Sequence, residues 1–254
     1  MVELVYVASP NSVHYGQVKE ALAAGRHVIC EKPFFTGMAE FEEIRRMVQS
    51  SEAYLFEAIT TPYLPNYRIA REALEELGPI HLVNINYSQY SSRFDQLKAG
   101  EMTNVFDPAM GGGSLPDLGI YCIHLAVSLF GAPQEVVARS VEGYGADLAD
   151  ALILTYPGML CTITTSKACG GPAGASIQGE RGWLEVTDSP GVCAKVFLHK
   201  NGETKQLSTL EHRVDDRMVY CLLYTSIPGR GSDPRPPGKT GDSGPGRDRR
   251  NIQT

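Results

Sequence analysis

The first sixty residues switch repeatedly between strand and helix periodicity, and that rhythm limits the fold more than any other feature of the chain. Glu3–Ala8 is apolar and β-branched, the pattern of a buried strand, and it closes on the turn cluster Ser9-Pro10-Asn11. A helix from about Val13 to Ala24 stops at Gly25, and His27–Cys30 reads as a second strand ending at Glu31-Lys32-Pro33-Phe34. Met38–Gln49 places Phe41, Ile44 and Val48 on one helical face, and Tyr54–Ile59 is a third strand. Strands separated by helices of this length return parallel, because a hairpin cannot join them. The βαβαβ order therefore predicts a parallel sheet with helices packed on it. Buried parallel strands need neighbours on both sides, so a chain that opens on one is expected to lack earlier strands.

Pro62 and Pro65 mark a change of texture. A helix then carries Tyr67, Ala70, Leu74 and Leu77 on one stripe, up to Gly78-Pro79. Beyond it the period becomes two: Val83, Ile85 and Tyr87 alternate with Asn84, Asn86 and Ser88. Ala151–Tyr156 and Leu160–Ser166 flank Pro157-Gly158, Ile177–Gln178 and Trp183–Val186 flank Glu180-Arg181, and Ala194–His199 and Thr204–Leu207 flank Asn201-Gly202. These are hairpin signals. The fold class is α/β followed by α+β, an antiparallel sheet interrupted by one long helix over about Ser114–Leu129.

Composition narrows the function classes. The net charge is −6, yet residues 227–254 hold six Lys and Arg against three Asp and Glu, so residues 1–226 carry −9. So acidic a body does not suit nucleic acid. No apolar run approaches the roughly 20 residues that span a bilayer, and the first residues lack the charged start of a secretory signal. Six scattered cysteines without a CxxC pair favour neither a metal nor a disulfide framework and predict a reduced, cytoplasmic setting. From Ile227 the chain turns rich in glycine and proline, with six and five in 28 residues, which predicts disorder. The preceding Cys221-Leu222-Leu223-Tyr224-Thr225-Ser226 matches a translation of TGT-CTC-TTA-TAC-ACA-TCT, the transposase end of sequencing-library adapters. Native sequence is therefore expected to end near Tyr220, with 221–254 a non-native tail. The remaining division is 1–62 and 63–220.

The chemistry concentrates in two places. Leu115, Leu118, Ile120, Ile123, Leu125, Val127 and Leu129 cover nearly the whole circumference of the 114–129 helix, so it should be buried. Asp117, Tyr121 and His124 nevertheless share one stripe of it. A carboxylate and a phenol cost several kcal/mol to bury alone, so the stripe meets either a polar network or a ligand pocket. Gly111-Gly112-Gly113 ahead of it permits a close backbone approach or a flexible helix entry. Lys32 sits at the carboxyl end of a parallel strand, where open α/β sheets bind ligands, although a surface lysine before a proline reads the same way.

Taken together, Ala8-Ser9-Pro10-Asn11-Ser12-Val13-His14, Ala24-Gly25-Arg26-His27-Val28, Glu31-Lys32-Pro33-Phe34 and Gly111-Gly112-Gly113-Ser114-Leu115-Pro116-Asp117-Leu118-Gly119-Ile120-Tyr121 resemble the glucose–fructose oxidoreductase / inositol dehydrogenase (Gfo/Idh/MocA) family, over about residues 3–220. The resemblance implies the C-terminal part of a Rossmann domain followed by an open-faced antiparallel sheet domain. It implies NAD- or NADP-dependent hydride transfer to or from a sugar, cyclitol or related diol, with no metal. By position Lys32 would be the catalytic lysine and Asp117 the substrate-binding aspartate. Tyr121 stands where inositol dehydrogenases have histidine; it is similar to the acid/base tyrosine of dimeric dihydrodiol dehydrogenase, its phenolate favoured by Lys32. Ser9, Pro10, Asn11, His14, Glu31 and Lys32 would line the nicotinamide side of the cofactor, and His124 and Arg93 are further candidate substrate contacts. Family members form homo-oligomers through the open sheet. The G-x-G-x-x-G turn that holds the pyrophosphate is absent from this sequence, which predicts weak NAD(P) binding by the chain alone. The alternative is a cofactor-free relative used as a binding or scaffolding protein.

Overall fold

Strand and helix alternate at first and then give way to strands alone, and each regime builds its own sheet. The computed structural model describes residues 2–208; the tail expected from position 221 lies outside the described residues. β1 (Leu4–Val7), β2 (His27–Cys30) and β3 (Leu55–Glu57) pair in parallel, in that order. They are joined by α1 (Asn11–Ala23) and α2 (Met38–Gln49). Val18, Ala21 and Leu22 of α1 and Ile44 of α2 bury Val7, Val28 and Cys30 of the sheet. Both helices lie on that one face. β1 departs from the buried strand its apolar run predicts: Leu4 and Tyr6 point to the other face and are 49% and 48% exposed.

The second sheet has eight strands: β4 (Ile80–Ser88), β5 (Glu135–Gly143), β6 (Ala146–Tyr156), β7 (Met159–Ser166), β8 (Gly174–Gly179), β9 (Gly182–Thr187), β10 (Lys195–Lys200) and β11 (Glu203–Gln206), ordered β11-β10-β9-β8-β4-β7-β6-β5. The three hairpins form at the positions their turn residues mark, with Asn201 and Gly202 both at positive φ (54° and 78°), as a tight turn between twisted strands demands. One pairing corrects the expectation of a purely antiparallel sheet: β4 and β7 run parallel. The chain leaves β4 for a helical excursion and returns through the β5–β6–β7 meander, which delivers β7 alongside β4 in the same direction. β5 had no visible signal, because it is an edge strand whose residues are exposed on both faces and so carry no alternation.

The excursion contains α4 (Phe94–Lys98), the wide π-helical turn Leu115–Gly119 and α5 (Ile120–Phe130). Pro108–Phe130 is, by length and composition, long and apolar enough to cross a bilayer, contrary to the sequence reading. Instead Cys122, Leu125 and Ala126 are buried against Val83, Ile85, Leu152 and Ile163 of the sheet and against Tyr67 and Ala70 of α3 (Pro65–Ala73). Each large apolar side chain buried this way stabilises the fold by about 1.5–3 kcal/mol, which pins α5 to the sheet. The burial is one-sided, since Val127 remains 39% exposed. Among the described residues nothing covers the opposite face of the sheet, where Leu82, Val137, Ile153 and Leu160 are exposed.

Candidate active site

Lys32, Asp117 and Tyr121 come from two different parts of the fold and meet at the seam between the sheets. β2 ends at Cys30, so Lys32 leaves the parallel sheet at its carboxyl edge. The π-turn places Asp117 opposite: Lys32 Nζ donates to Asp117 Oδ1 at 2.8 Å and to its backbone carbonyl at 3.0 Å. Tyr121 approaches the same ammonium with its ring, whose centroid is 4.9 Å from Nζ, and packs edge-on against Tyr87. The shared stripe also continues to His124, but that ring is taken by Glu57 at 2.9 Å, whose other oxygen accepts from Phe34 N at 3.2 Å. The stripe is therefore both things at once: a pocket wall at Asp117, with the Tyr121 ring packed beside Lys32, and a polar pairing with Glu57 at His124.

A cleft of about 290 Å³ opens here, lined among others by Ser9, Pro10, Asn11, Lys32, Asn104 and Asp117. It lies off the ends of β1 and β2, the place where an open parallel sheet receives ligands. Asn11 is held there by donating to Gly111 O at 2.8 Å, and Ser9 by donating to Gln17 Oε1 at 2.7 Å. The glycine run is explained by close approach rather than flexibility. A Cβ on Gly112 would stand 2.6 Å from Asn104 O and 2.8 Å from the Val105 carbonyl carbon.

Besides His124, three expected contacts do not reach the cleft. His14 is fully buried, with Nδ1 3.0 Å from Pro33 O and Nε2 2.9 Å from Ser9 O. It braces the two loops that form the wall instead of lining it. Glu31 is turned to the Tyr6 hydroxyl. Arg93 is exposed at the start of α4 and donates to Gln96 Oε1 at 3.3 Å. A larger hollow of about 720 Å³, at the β8–β9 and β10–β11 turns, holds no comparable cluster: its Lys200 pairs with Glu76 and its Arg181 with Glu75 O.

Electrostatics corrects one further expectation. Burial pushes the Tyr121 phenol above its ordinary 10.0; Lys32 opposes this, but Tyr87, Asp117 and Glu31 add to it. The phenolate is not favoured, because desolvation outweighs the nearby Lys32 cation. Burial also disfavours the Lys32 ammonium, yet Asp117, Tyr121 and Glu31 more than compensate and hold its pKa above 10.5. Asp117 is likewise disfavoured by burial but kept below 3.8 by Lys32 and by a second lysine, Lys167. Lys167 donates to Asp117 Oδ2 at 2.7 Å, and no sequence pattern pointed to it. It follows a strand, Met159–Ser166, that carries no charged residue, and only the sheet pairing brings it under the helix.

Comparison with known proteins agrees with this architecture. Residues 1–58 match the family described as oxidoreductase, NAD-binding Rossmann fold, and residues 67–185 match the GFO/IDH/MocA C-terminal domain. The uncharacterised oxidoreductase YgjR of Escherichia coli K12 is 37% identical over 227 residues, 89% of this chain and 69% of that protein. The scyllo-inositol 2-dehydrogenase (NADP(+)) IolU of Bacillus subtilis is 39% identical over 185 residues, 72% of this chain and 56% of its own length. The trans-1,2-dihydrobenzene-1,2-diol dehydrogenase of Mus musculus is 31% identical over 229 residues, covering 88% and 66%. The chain thus spans between 56% and 69% of the length of these relatives. With a parallel sheet, an eight-stranded partner sheet and the Lys32–Asp117 pair at their seam, the chain belongs to the Gfo/Idh/MocA family of oxidoreductases.

Proposed function

We propose that this chain carries the reaction site of an NAD(P)-dependent oxidoreductase that acts on a hydroxyl-bearing carbon of a cyclitol, sugar or related diol. The observation that carries the reading is the Lys32 ammonium. It has three N–H donors, two of which go to Asp117, and it stands in the cleft wall beside Ser9 and Asn11. Among the described residues no hydrogen-bond acceptor takes the third, and we assign it to the oxygen of the reacting carbon. The cleft fits the nicotinamide end of a dinucleotide by its place at the strand ends and by the Ser9-Pro10-Asn11 wall. A bound nicotinamide would supply the hydride acceptor or donor. The residues of the chain do the rest: Lys32 orients the substrate oxygen, and the protonated Tyr121 hydroxyl gives it a proton in the reductive direction. Asp117, 39% exposed at its side chain, holds Lys32 and keeps lone pairs for a neighbouring substrate hydroxyl. Two relatives named for a cyclitol and a vicinal diol favour such a substrate over the scaffolding alternative.

The test is a panel of cyclitols, aldoses and trans-diols assayed with NAD and NADP. Lys32→Ala and Tyr121→Phe are each expected to lower kcat by roughly 10²–10⁴ with little change in cofactor affinity measured by calorimetry. Near-parental kcat in both variants would remove the assignment. We further propose that copies associate through the open sheet face, and that the protein is cytoplasmic, in keeping with the free thiols of Cys30, Cys122, Cys161, Cys169 and Cys193.

A further inference from the structure

Lys167 follows the last residue of β7, and its place is set by the large sheet. Its backbone N–H donates to Leu148 O and its carbonyl accepts from Ser91 N, both at 2.9 Å. Its side chain is 4% exposed; Nζ donates to Asp117 Oδ2 at 2.7 Å and to Val105 O at 2.9 Å, and stands 4.8 Å from the centroid of the buried Phe106 ring. An ammonium so enclosed persists only when paired and hydrogen-bonded. Asp117 is thus gripped from two sides by elements of different sheets: Oδ1 by Lys32 from the parallel sheet, Oδ2 by Lys167 from the large one.

We propose that Lys167 is a positioning residue of the reaction site, clamping Asp117 so that its Oδ1 oxygen holds Lys32 at the cleft and leaving the three-group cluster with one net positive charge toward the reacting oxygen. Two ammonium groups against one carboxylate leave that charge on the cluster, offset only from behind Lys32 by Glu31, and it lies where an alkoxide develops as hydride departs or arrives. The charge-stabilising part of this inference rests on the cleft being the reaction site; the clamp itself does not. The groups facing Asp117 are Lys32 from the end of β2, Lys167 from the end of β7 and Tyr121 from its own helix, with Glu31 behind Lys32.

The experiment is a carboxyl-carbon NMR titration of the protein, with Asp117 assigned through Asp117→Asn. Lys167→Gln keeps a hydrogen-bonding amide and removes the charge; it is expected to raise the Asp117 midpoint by roughly one pH unit or more. Lys167→Arg keeps the charge and should hold the midpoint near the parental value. In the same pair, kcat is expected to fall about tenfold or more in Lys167→Gln and to recover in Lys167→Arg, with the calorimetric cofactor affinity unchanged. A midpoint unmoved by Lys167→Gln overturns the clamp. A moved midpoint with unchanged kcat overturns the positioning role, while Lys32→Ala tests the reaction site independently. Should Lys167→Gln not fold, the parental protein decides: lysine-selective spectra must show a Lys167 ammonium exchanging far more slowly than surface lysines, and fast exchange overturns the proposal.

Discussion

Asp117 shows how burial and pairing compete at a single residue. Its carboxyl is held below the ordinary 3.8 although burial alone would raise it, because two lysines act on it. The sign of the consequence follows from linkage. A depressed folded-state pKa contributes stability above the unfolded carboxylate value, and that contribution disappears as pH falls through the folded value. Asp117→Asn should therefore lower the melting temperature at neutral pH, and the gap to the parental protein should narrow progressively below about pH 4. Calorimetric scans from pH 7 to pH 2.5 check this; a gap independent of pH would mean that the carboxylate charge contributes nothing. Lys32, Asp117 and Tyr121 could each be named from sequence because a recognisable motif surrounds them. Lys167 could not, since its role depends on the registry of β6 and β7 and not on its neighbours in the chain.

At the scale of elements, the segment from Gly111 to Phe130 does two jobs: it buries an apolar face and carries the polar stripe. The glycine run enables the entry, and Gly112 shows it most plainly. An added methyl there would meet backbone atoms at 2.6–2.9 Å, which cannot yield as a flexible side chain would. Gly112→Ala is expected to destabilise the protein by about 1–3 kcal/mol, the range of overpacked sites. It should also disturb the cleft wall, which Gly112 lines. Urea unfolding measures the first effect, and an unchanged midpoint would show that the loop relaxes freely. The helix itself was legible from its apolar residues, and its wide first turn was not. The π-turn carries no composition signal, although such turns tend to occur at functional sites.

For the whole molecule, the decisive asymmetry is between the two faces of the large sheet. Period-two alternation announced one apolar and one polar side to β4, but either could have been the covered one. α5 covers the Val83/Ile85 side, leaving Asn84, Asn86 and the exposed Leu82, Val137, Ile153 and Leu160 on the other. That open face is where self-association is expected. Light scattering should show more than a monomer at micromolar concentration, and Ile153→Glu should shift it toward monomer by placing a charge in the contact. A parental monomer would sink the idea. The sequence alone determined the βαβαβ start and the three hairpins and singled out Lys32, Asp117 and Tyr121 as candidates, because local periodicity, turn chemistry and short motifs are properties of neighbouring residues. Tertiary structure alone decided that β4 and β7 run parallel, that His14 braces the wall while Glu57 holds His124, that burial pushes the Tyr121 phenol up and not down, and that Lys167 pairs with Asp117. Each of those depends on which distant groups come to share a small, poorly hydrated space, and no local pattern encodes that.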